Sequence, residues 1–258
     1  MQRLFLCVIL LSLHILPLGA AEAKTIHALL VCDTTEYLAG ISAQRDCEKM
    51  NAELERAAHF SGMKTNIVKL TGKEATPRKL FQTLKKIDVK SKDTFVFYFS
   101  GHGYHPEDKQ GSRWPYLYFS LVGKMVPLQE VLDEITAKKP RLAIVFADSC
   151  NNYLDNELLG NIVFHKSLLV NPVTTLRKLN GYKKLFLQSK GLLIGTAVTE
   201  GGYAEATDEG GLYTETLLSV IRQKVLEAEA LNWTNVMLHV REKMIQANKP
   251  IPDFHFEQ

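Results

Sequence analysis

The sequence predicts an α/β protein in which a mostly parallel sheet is covered by helices on both faces. Short apolar runs of strand length alternate with longer stretches whose apolar residues recur every three or four positions. The strand-like runs are apolar throughout, as is typical of strands buried on both faces. The chain has 258 residues, 46% hydrophobic and 23% charged, which suffices for one large domain of this kind.

The first 23 residues stand apart from this pattern. Arg3 precedes the apolar run Leu4–Leu18, which is shorter than the ~20 residues of a membrane span. Small residues follow and end at Ala23, an acceptable cleavage position. We therefore predict a signal peptide at 1–23 and a secreted or periplasmic domain at 24–258. The alternative is an uncleaved, membrane-anchored chain; beyond this segment we predict no contact with a membrane.

Strand and helix patterns then follow one another in order. The run that begins at Thr25 is apolar with a β-branched residue, and the run that begins at Thr94 is rich in Phe. Apolar residues from Cys47 onwards recur at helical spacing, and Pro77 is a favoured first helical residue after the capping residue Thr76. The predicted strands are 25–32, 65–70, 94–100, 141–149 and 191–198. The predicted helices are about 43–60, 77–87, 127–139, 212–230 and 233–246.

Chemically capable residues follow two of these strands where each strand ends. The strand 94–100 runs into His102 and Gly103, and the strand 141–149 runs into Cys150. Ligands bind at the carboxyl ends of parallel strands, and neighbouring strands are ~5 Å apart, so these side chains can converge. A thiolate attacks carbonyl carbons while an imidazole transfers the protons. Cys150 is thus the candidate nucleophile, His102 the candidate acid and base, and the amides of Gly103 and Cys150 are candidate oxyanion donors.

Taken singly, each of these residues has a plainer explanation. A histidine after a strand is more often a structural or surface residue, and a cysteine there is more often a small buried apolar side chain. The pair favours catalysis because both residues follow buried strands of one predicted sheet. The nearby His105 is interpreted as a loop residue.

Four segments resemble a known family. FYFSGHG and AIVFADSC resemble the two catalytic signatures of the caspase-like cysteine peptidases, peptidase family C14 of clan CD, and within it the metacaspase or bacterial caspase-like branch. SAQRDCEKM and GGLYTETLLSVI are similar to two further motifs of that family. The resemblance covers roughly 25–225, apart from 151–190. It implies the three-layer αβα caspase-like fold, also called the caspase–haemoglobinase fold, with about six strands.

The resemblance also implies a division of the domain and a substrate preference. A large-subunit-like part at about 24–165 is joined through a variable basic linker, about 151–190, to a small-subunit-like part at about 190–258. In metacaspases an acidic pocket binds a P1 Arg or Lys, and the matching residues are Asp46 and Asp148, with Ser100 nearby. Two carboxylates at strand ends suit a cationic side chain.

The same residues leave alternatives open. Caspases proper bind a P1 Asp through arginines, and the matching position here is Gly40, which disfavours an Asp preference without removing it. Asp46 is also explained as an acid near a helix N-terminus, and Asp148 as a turn-capping residue. The basic linker is either a site of self-cleavage or a solvated loop.

The chain departs from the family in two places. Asn151–Tyr153 replaces the residues that usually follow the cysteine, which leaves a catalytically weak or inactive module that binds a protein partner as the alternative function. Many metacaspases bind calcium, but Glu107, Asp108, Asp155 and Glu157 do not make a clear set of ligands. We therefore predict no metal site and no required cofactor, and calcium binding stays an open alternative.

Charge and cysteine content limit the partners. The formal charge of +3 is too small to indicate nucleic-acid binding, so the expected partner is a protein or peptide substrate. Removal of the signal peptide leaves Cys32, Cys47 and Cys150. At least one of the three is free or pairs outside the chain. The sequence indicates neither the pairing nor the oligomeric state.

Overall fold

The structure is a computed structural model that describes residues 24–37, 39–106, 112–153, 175–227 and 231–258. It confirms the predicted fold class, since a six-stranded and mostly parallel sheet lies between two layers of helices. The six strands are β1 (Thr25–Cys32), β2 (Lys64–Thr71), β3 (Thr94–Ser100), β7 (Leu142–Asp148), β8 (Gly191–Thr196) and β11 (Asp253–Glu257). Their order across the sheet is β11-β8-β7-β3-β1-β2, and all neighbours are parallel except β11 and β8.

Six α-helices are described around the sheet. They are α1 (Ala39–Ser61), α2 (Pro77–Lys86), α3 (Leu128–Ala137), α4 (Thr175–Tyr182), α5 (Leu212–Glu227) and α6 (Trp233–Gln246). The start of α2 is as predicted, because Thr76 Oγ1 accepts the backbone N–H of Lys79 at 3.3 Å. The first helix begins at Ala39, four residues before the predicted start. Among the described residues, none of the helices combines the length and apolar composition needed to cross a membrane.

The two faces of the sheet bury separate apolar cores. Along β3, Phe95, Phe97 and Phe99 point to one face, where they pack against α2 and α3. Val96 and Tyr98 point to the other face, where they pack against α1, α5 and α6. This alternation explains why β3 is apolar throughout, since both of its faces are covered. A rigid central strand therefore leads directly to His102.

Two small elements that the sequence did not predict complete the fold. Short strands β4 (Gly103–Tyr104), β5 (Tyr116–Phe119) and β6 (Lys124–Pro127) form an antiparallel sheet directly after β3. Two further short strands, β9 (Ala206–Thr207) and β10 (Gly210–Gly211), form a hairpin before α5. The strand β11 was also not predicted, because its alternation of Phe with polar residues at the edge of the sheet is short and follows two prolines.

Part of the basic segment 151–190 belongs to the packed core. The helix α4 continues into a π-helical turn, Lys183–Gln188, and Tyr182, Leu185 and Phe186 are buried. Aromatic contacts join Tyr182 and Phe186 to each other and Phe186 to Trp233. The expected linker therefore narrows to the residues before 175, of which 154–174 lie outside the described part of the chain.

Candidate active site

Strand register brings the predicted catalytic residues to one edge of the sheet. β3 and β7 are adjacent, and Ser100 lies opposite Asp148 in the last pair of their register. The backbone N–H of Gly101 also donates to the Asp148 carbonyl at 3.2 Å. Since His102 and Cys150 each follow two residues after this pair, the fold places both just beyond the same edge. The two strands are neighbours, which is the condition for their terminal side chains to converge.

The glycine after the histidine lies directly against the cysteine. A Cβ atom at Gly103 would be 2.5 Å from the carbonyl oxygen of Cys150 and 2.6 Å from Ser149 Oγ, closer than atoms can approach. Only glycine permits this contact between the two loops. The two amides predicted to bind an oxyanion therefore belong to backbone segments that touch each other.

The His102 side chain is bonded to a carboxylate that the sequence analysis did not identify. Its Nε2 lies 2.5 Å from Glu36 Oε2, and His102 is about one quarter exposed. The Tyr118 N–H donates to the His102 carbonyl at 3.0 Å. Because Nε2 faces Glu36, Nδ1 is the ring nitrogen that can serve a thiol or a leaving amine. The sequence does show that Glu36 is an acidic residue in the loop after the first strand, which is the feature that could have marked it as a partner of His102.

The loop that carries Glu36 is held by a buried acid at its start. Asp33 accepts hydrogen bonds from Thr35 Oγ1 at 2.5 Å and from the Ser120 N–H at 2.7 Å. Burial raises the pKa of Asp33, but these hydrogen bonds outweigh it and lower the pKa below its ordinary value. The Asp33 N–H donates to the Ser100 carbonyl, so the loop starts beside β3. A cleft of about 430 Å³ lies along this loop and is lined by Thr34, Glu36, Tyr37, Gly40, Ile41, Gln44 and Arg45.

Cys150 is a free, half-buried cysteine. Its Sγ accepts the Ala204 N–H at 3.2 Å and lies 3.9 Å from the Ala204 carbonyl oxygen. Burial raises the pKa of the thiol, the Ala204 N–H opposes this, and the charge of Asp148 adds to it. Among the described contacts the thiol bonds to Ala204 and not to His102. Catalytic hydrogen bonds of this kind often tighten only when substrate binds.

Two further cysteines form a disulfide. Cys32, the last residue of β1, is bonded to Cys47 on α1, with 6.2 Å between their Cα atoms. The structure thus assigns the pairing that the sequence left open.

The three residues predicted to bind P1 lie together, and two of them are in direct contact. Ser100 Oγ donates to Asp46 Oδ2 at 2.7 Å, and the Gly211 N–H donates to Asp46 Oδ1 at 2.8 Å. Asp148 Oδ2 accepts the N–H and the hydroxyl of Thr214 at 2.9 and 2.7 Å. All of these acceptor and donor side chains are buried.

Gly211 lies over both carboxylates. A Cβ at this position would collide with the carboxylate oxygens of Asp148, while its N–H bonds to Asp46. We call Asp46 and Asp148 the acidic pair. The Gly-Gly doublet before α5 resembles a family motif, but its contact with the acidic pair was not predicted.

Burial makes the acidic pair difficult to ionise completely. Burial, together with the charge of Asp148, raises the pKa of Asp46 well above its ordinary value. Burial raises the pKa of Asp148 to about 6, although hydrogen bonds from Thr214 oppose this. Lys49, whose charge favours ionisation of Asp46, is itself bonded to Glu215 and to a backbone carbonyl. Two buried like charges at this site would be stabilised by an entering cation.

The unusual residues after the cysteine have a structural explanation. Asn151 Oδ1 lies 3.1 Å from His105 Nδ1, and the His105 N–H donates to the Asn152 carbonyl at 2.7 Å. Tyr153 donates to Glu200 at 2.7 Å, and the same carboxylate lies 3.5 Å from His105 Nε2. His105 is therefore a buried member of this network and not merely a loop residue. The network ties the loop after His102 to the loop after Cys150.

The predicted absence of a clear calcium site concerns residues that are largely outside the described part of the chain. Glu107, Asp108, Asp155 and Glu157 all fall there. Within the described ranges, no three His, Cys, Asp or Glu side chains are arranged to hold a metal ion.

Comparisons with known proteins agree with the fold. The family model for the caspase domain of peptidase family C14 matches residues 26–258. A crystal structure of a protein from Geobacter sulfurreducens, determined by structural genomics, superposes with a TM-score of 0.54 and 14% identity. The match covers 91% of this chain and 92% of that one. A search of curated proteins found no match.

Proposed function

Because the chain belongs to the caspase-domain family of cysteine peptidases, we propose that it is an endopeptidase that cleaves after Arg or Lys. The observation that carries this proposal is the position of the acidic pair, at the same sheet edge as His102 and Cys150. When the P1 carbonyl of a peptide substrate lies at the Cys150 thiol, its P1 side chain would face the buried carboxylates of the acidic pair.

Acylation begins with proton transfer from Cys150 to His102 Nδ1. Burial raises the pKa of the thiol, so the free enzyme holds it protonated and the imidazole must act as base. The sulfur then attacks the P1 carbonyl carbon, and the amides of Gly103 and Cys150 donate to the resulting oxyanion. The protonated His102 gives its proton to the leaving amine as the C–N bond breaks. A thioester at Cys150 remains.

Deacylation reverses these roles. His102 takes a proton from water, the hydroxide attacks the thioester carbonyl, and the C–S bond breaks to release the acid and the thiol. Glu36, bonded to Nε2, orients the ring and stabilises the imidazolium in both halves of the reaction. His102 carries each proton transfer, so the scheme requires no cofactor.

The acidic pair explains the choice of a cationic P1. A guanidinium bonds to two carboxylates and its charge offsets the burial that keeps the pKa of each carboxyl raised. A P1 Asp would instead add a third carboxylate, at a cost of several kcal/mol for a like charge. Ser100 holds Asp46 in place for this contact.

The test compares fluorogenic peptides that differ only in P1. The wild type is expected to cleave the Arg and Lys peptides and to leave the Asp peptide uncleaved. Cys150→Ala is expected to cleave none of them. Reactions with and without calcium test the cofactor expectation separately. Equal rates for the wild type and Cys150→Ala would instead indicate an inactive module, and preference for the Asp peptide would refute the pocket assignment.

We further propose that any self-cleavage follows Lys166. The basic residues from 177 to 184 lie in helical structure that packs against the core, and Lys190 directly precedes β8, whereas Lys166 is the single Lys or Arg of 154–174. Proteolysis needs an accessible, extended segment, which a packed helix does not provide. Intact mass of the incubated wild type should reveal one cut, which Lys166→Ala and Cys150→Ala both prevent. Unchanged cutting in Lys166→Ala would refute this assignment.

We also propose that the protein is exported after removal of residues 1–23, which lie outside the described part of the chain. The disulfide between Cys32 and Cys47 supports this, since such bonds persist in oxidising compartments. N-terminal sequencing of the exported protein should begin at Lys24. A retained N-terminus would support the membrane-anchored alternative.

A further inference from the structure

The disulfide links the two ends of the segment that carries Glu36 and Asp46. Cys32 ends β1 and pairs with Ser100 in the register of β1 and β3. Cys47 directly follows Asp46 on α1. Both sulfur-bearing residues are fully buried, and they are 15 positions apart in sequence. The bond therefore joins the strand position beside Ser100 to the helix position beside Asp46.

The closed segment, 33–46, carries two contacts of the proposed active site. Near its beginning Glu36 bonds to His102, and at its end Asp46 accepts the Ser100 hydroxyl. We call this segment the acid loop. A cross-link that closes a short loop restricts the conformations available to everything between its ends.

The rest of α1 is anchored in a different way. Met50, Leu54 and Ala57 are buried in the core beneath the sheet, so apolar packing holds the C-terminal part of the helix. Around Asp46 the only comparable apolar anchor on the preceding turn is Ala43, among the described side chains of that turn. Loss of the disulfide should therefore loosen the Asp46 end of the helix without unwinding the remainder.

We propose that Cys32 and Cys47 are positioning residues whose disulfide holds Asp46 beside Ser100 and Asp148 and thereby sets selectivity for a cationic P1. This inference rests on the proposed function, and it assigns to the disulfide a role in specificity beyond its contribution to folding. The two carboxylates of the acidic pair repel each other when both are ionised. A covalent tie next to Asp46 adds to the hydrogen bonds from Ser100 and Gly211 in resisting that repulsion.

The first test removes the tie. Cys32→Val combined with Cys47→Ala is expected to raise KM for an Arg peptide at least tenfold and to reduce the preference for P1 Arg over P1 Ala by a similar factor. The matched control is Val240→Ala, which weakens the core on α6 far along the chain from the acid loop. The control should keep the wild-type KM and P1 preference. Equal P1 preference in the wild type and the double variant would overturn the proposal.

A second test needs neither turnover nor a cysteine variant of the acid loop. Binding of benzamidine, a planar amidinium, to Cys150→Ala is measured by calorimetry. Reduction of the disulfide by a water-soluble phosphine is then measured over time, by alkylation of the freed thiols and mass spectrometry of the peptides containing Cys32 and Cys47. The disulfide is buried, so the reductant reaches it only when the protein opens locally, and a ligand that binds the closed arrangement makes this opening rarer. Saturating benzamidine should slow reduction at least fivefold, and the same concentration of benzyl alcohol should not.

The outcomes separate this inference from the proposed function. Benzamidine protection without peptide cleavage would support the positioning role and refute the peptidase. Peptide cleavage after Arg with no effect of benzamidine on the rate of reduction would leave the peptidase standing and overturn the positioning role. Absence of benzamidine binding would also overturn it, because the acidic pair would then not be a cation site.

Discussion

Replacement of Asp148 by Asn should separate stability from substrate binding. Burial raises the pKa of Asp148 from 3.8 to about 6, so the folded protein holds a proton there that the unfolded chain has already lost. Stability from this group is therefore fully present below pH 4 and is lost as the pH rises through about 6. The full loss is about 3 kcal/mol, because each pKa unit is worth about 1.4 kcal/mol.

Asp148→Asn does not titrate and avoids this loss. The difference in free energy of unfolding between this variant and the wild type should therefore grow by about 2 kcal/mol, in favour of the variant, from pH 4.5 to pH 8. The remainder of the loss in the wild type occurs below pH 4.5. Asp46 acts in the same direction, since the charge of Asp148 contributes to its raised pKa. The same variant should raise KM for an Arg peptide by roughly 10- to 100-fold, the value of one charge-assisted hydrogen bond.

The assay is urea unfolding at the two pH values, with Asp208→Asn as the matched control. Asp208→Asn is the same chemical change on an exposed side chain near the acidic pair. Its free energy of unfolding should therefore differ from that of the wild type by no more than about 0.5 kcal/mol. A stability difference that is equal at both pH values would refute the electrostatic reasoning. An unchanged KM for the Arg peptide would refute the role of Asp148 in the pocket.

Three further predictions concern the catalytic groups. Glu36→Gln should lower kcat by roughly 10- to 100-fold with little change in KM, because it removes the negative charge beside the His102 imidazolium; steady-state kinetics check this, and a changed KM alone would contradict it. Gly103→Ala should lower kcat/KM at least about 100-fold, because the added Cβ displaces the Cys150 backbone by collision; wild-type kinetics in this variant would show that the loops do not touch. Iodoacetamide should alkylate Cys150 in His102→Ala slowly at pH 7 and increasingly fast up to and beyond pH 9, since burial raises the pKa of the thiol; a plateau below pH 8 would contradict this.

The central strands β1, β3 and β7 were predictable because they are buried on both faces. A run such as Phe95–Phe99 can only be a covered strand, and the residues after two such runs then had to meet at one edge. His102 and Cys150 were located in this way, from their positions after two predicted strands, whereas Asp46 and Asp148 were assigned from the resemblance to the family. Their roles in catalysis remain proposals.

The residues that were missed act through contacts distant in sequence. Glu36 reaches His102 across 66 positions, and Asp148 is bonded by Thr214 across 66 positions. His105 looked like an isolated loop residue because its partners, Asn151 and Glu200, follow much later in the chain. Periodicity reports which face of an element is covered, but it contains no information on which loops will meet.

The junction between the two halves of the sheet has a consequence for how the protein can be handled. β7 and β8 pair over six residues from Leu142 to Ala147, and Gly211 and Thr214 donate hydrogen bonds to Asp46 and Asp148. These contacts are made directly between residues before 154 and residues after 174. Two polypeptides, 24–153 and 175–258, should therefore reassemble when they are expressed together, and each should be silent alone. If the two fragments were fused to two other proteins, association of those proteins would bring the fragments together. Hydrolysis of an Arg peptide would then measure that association.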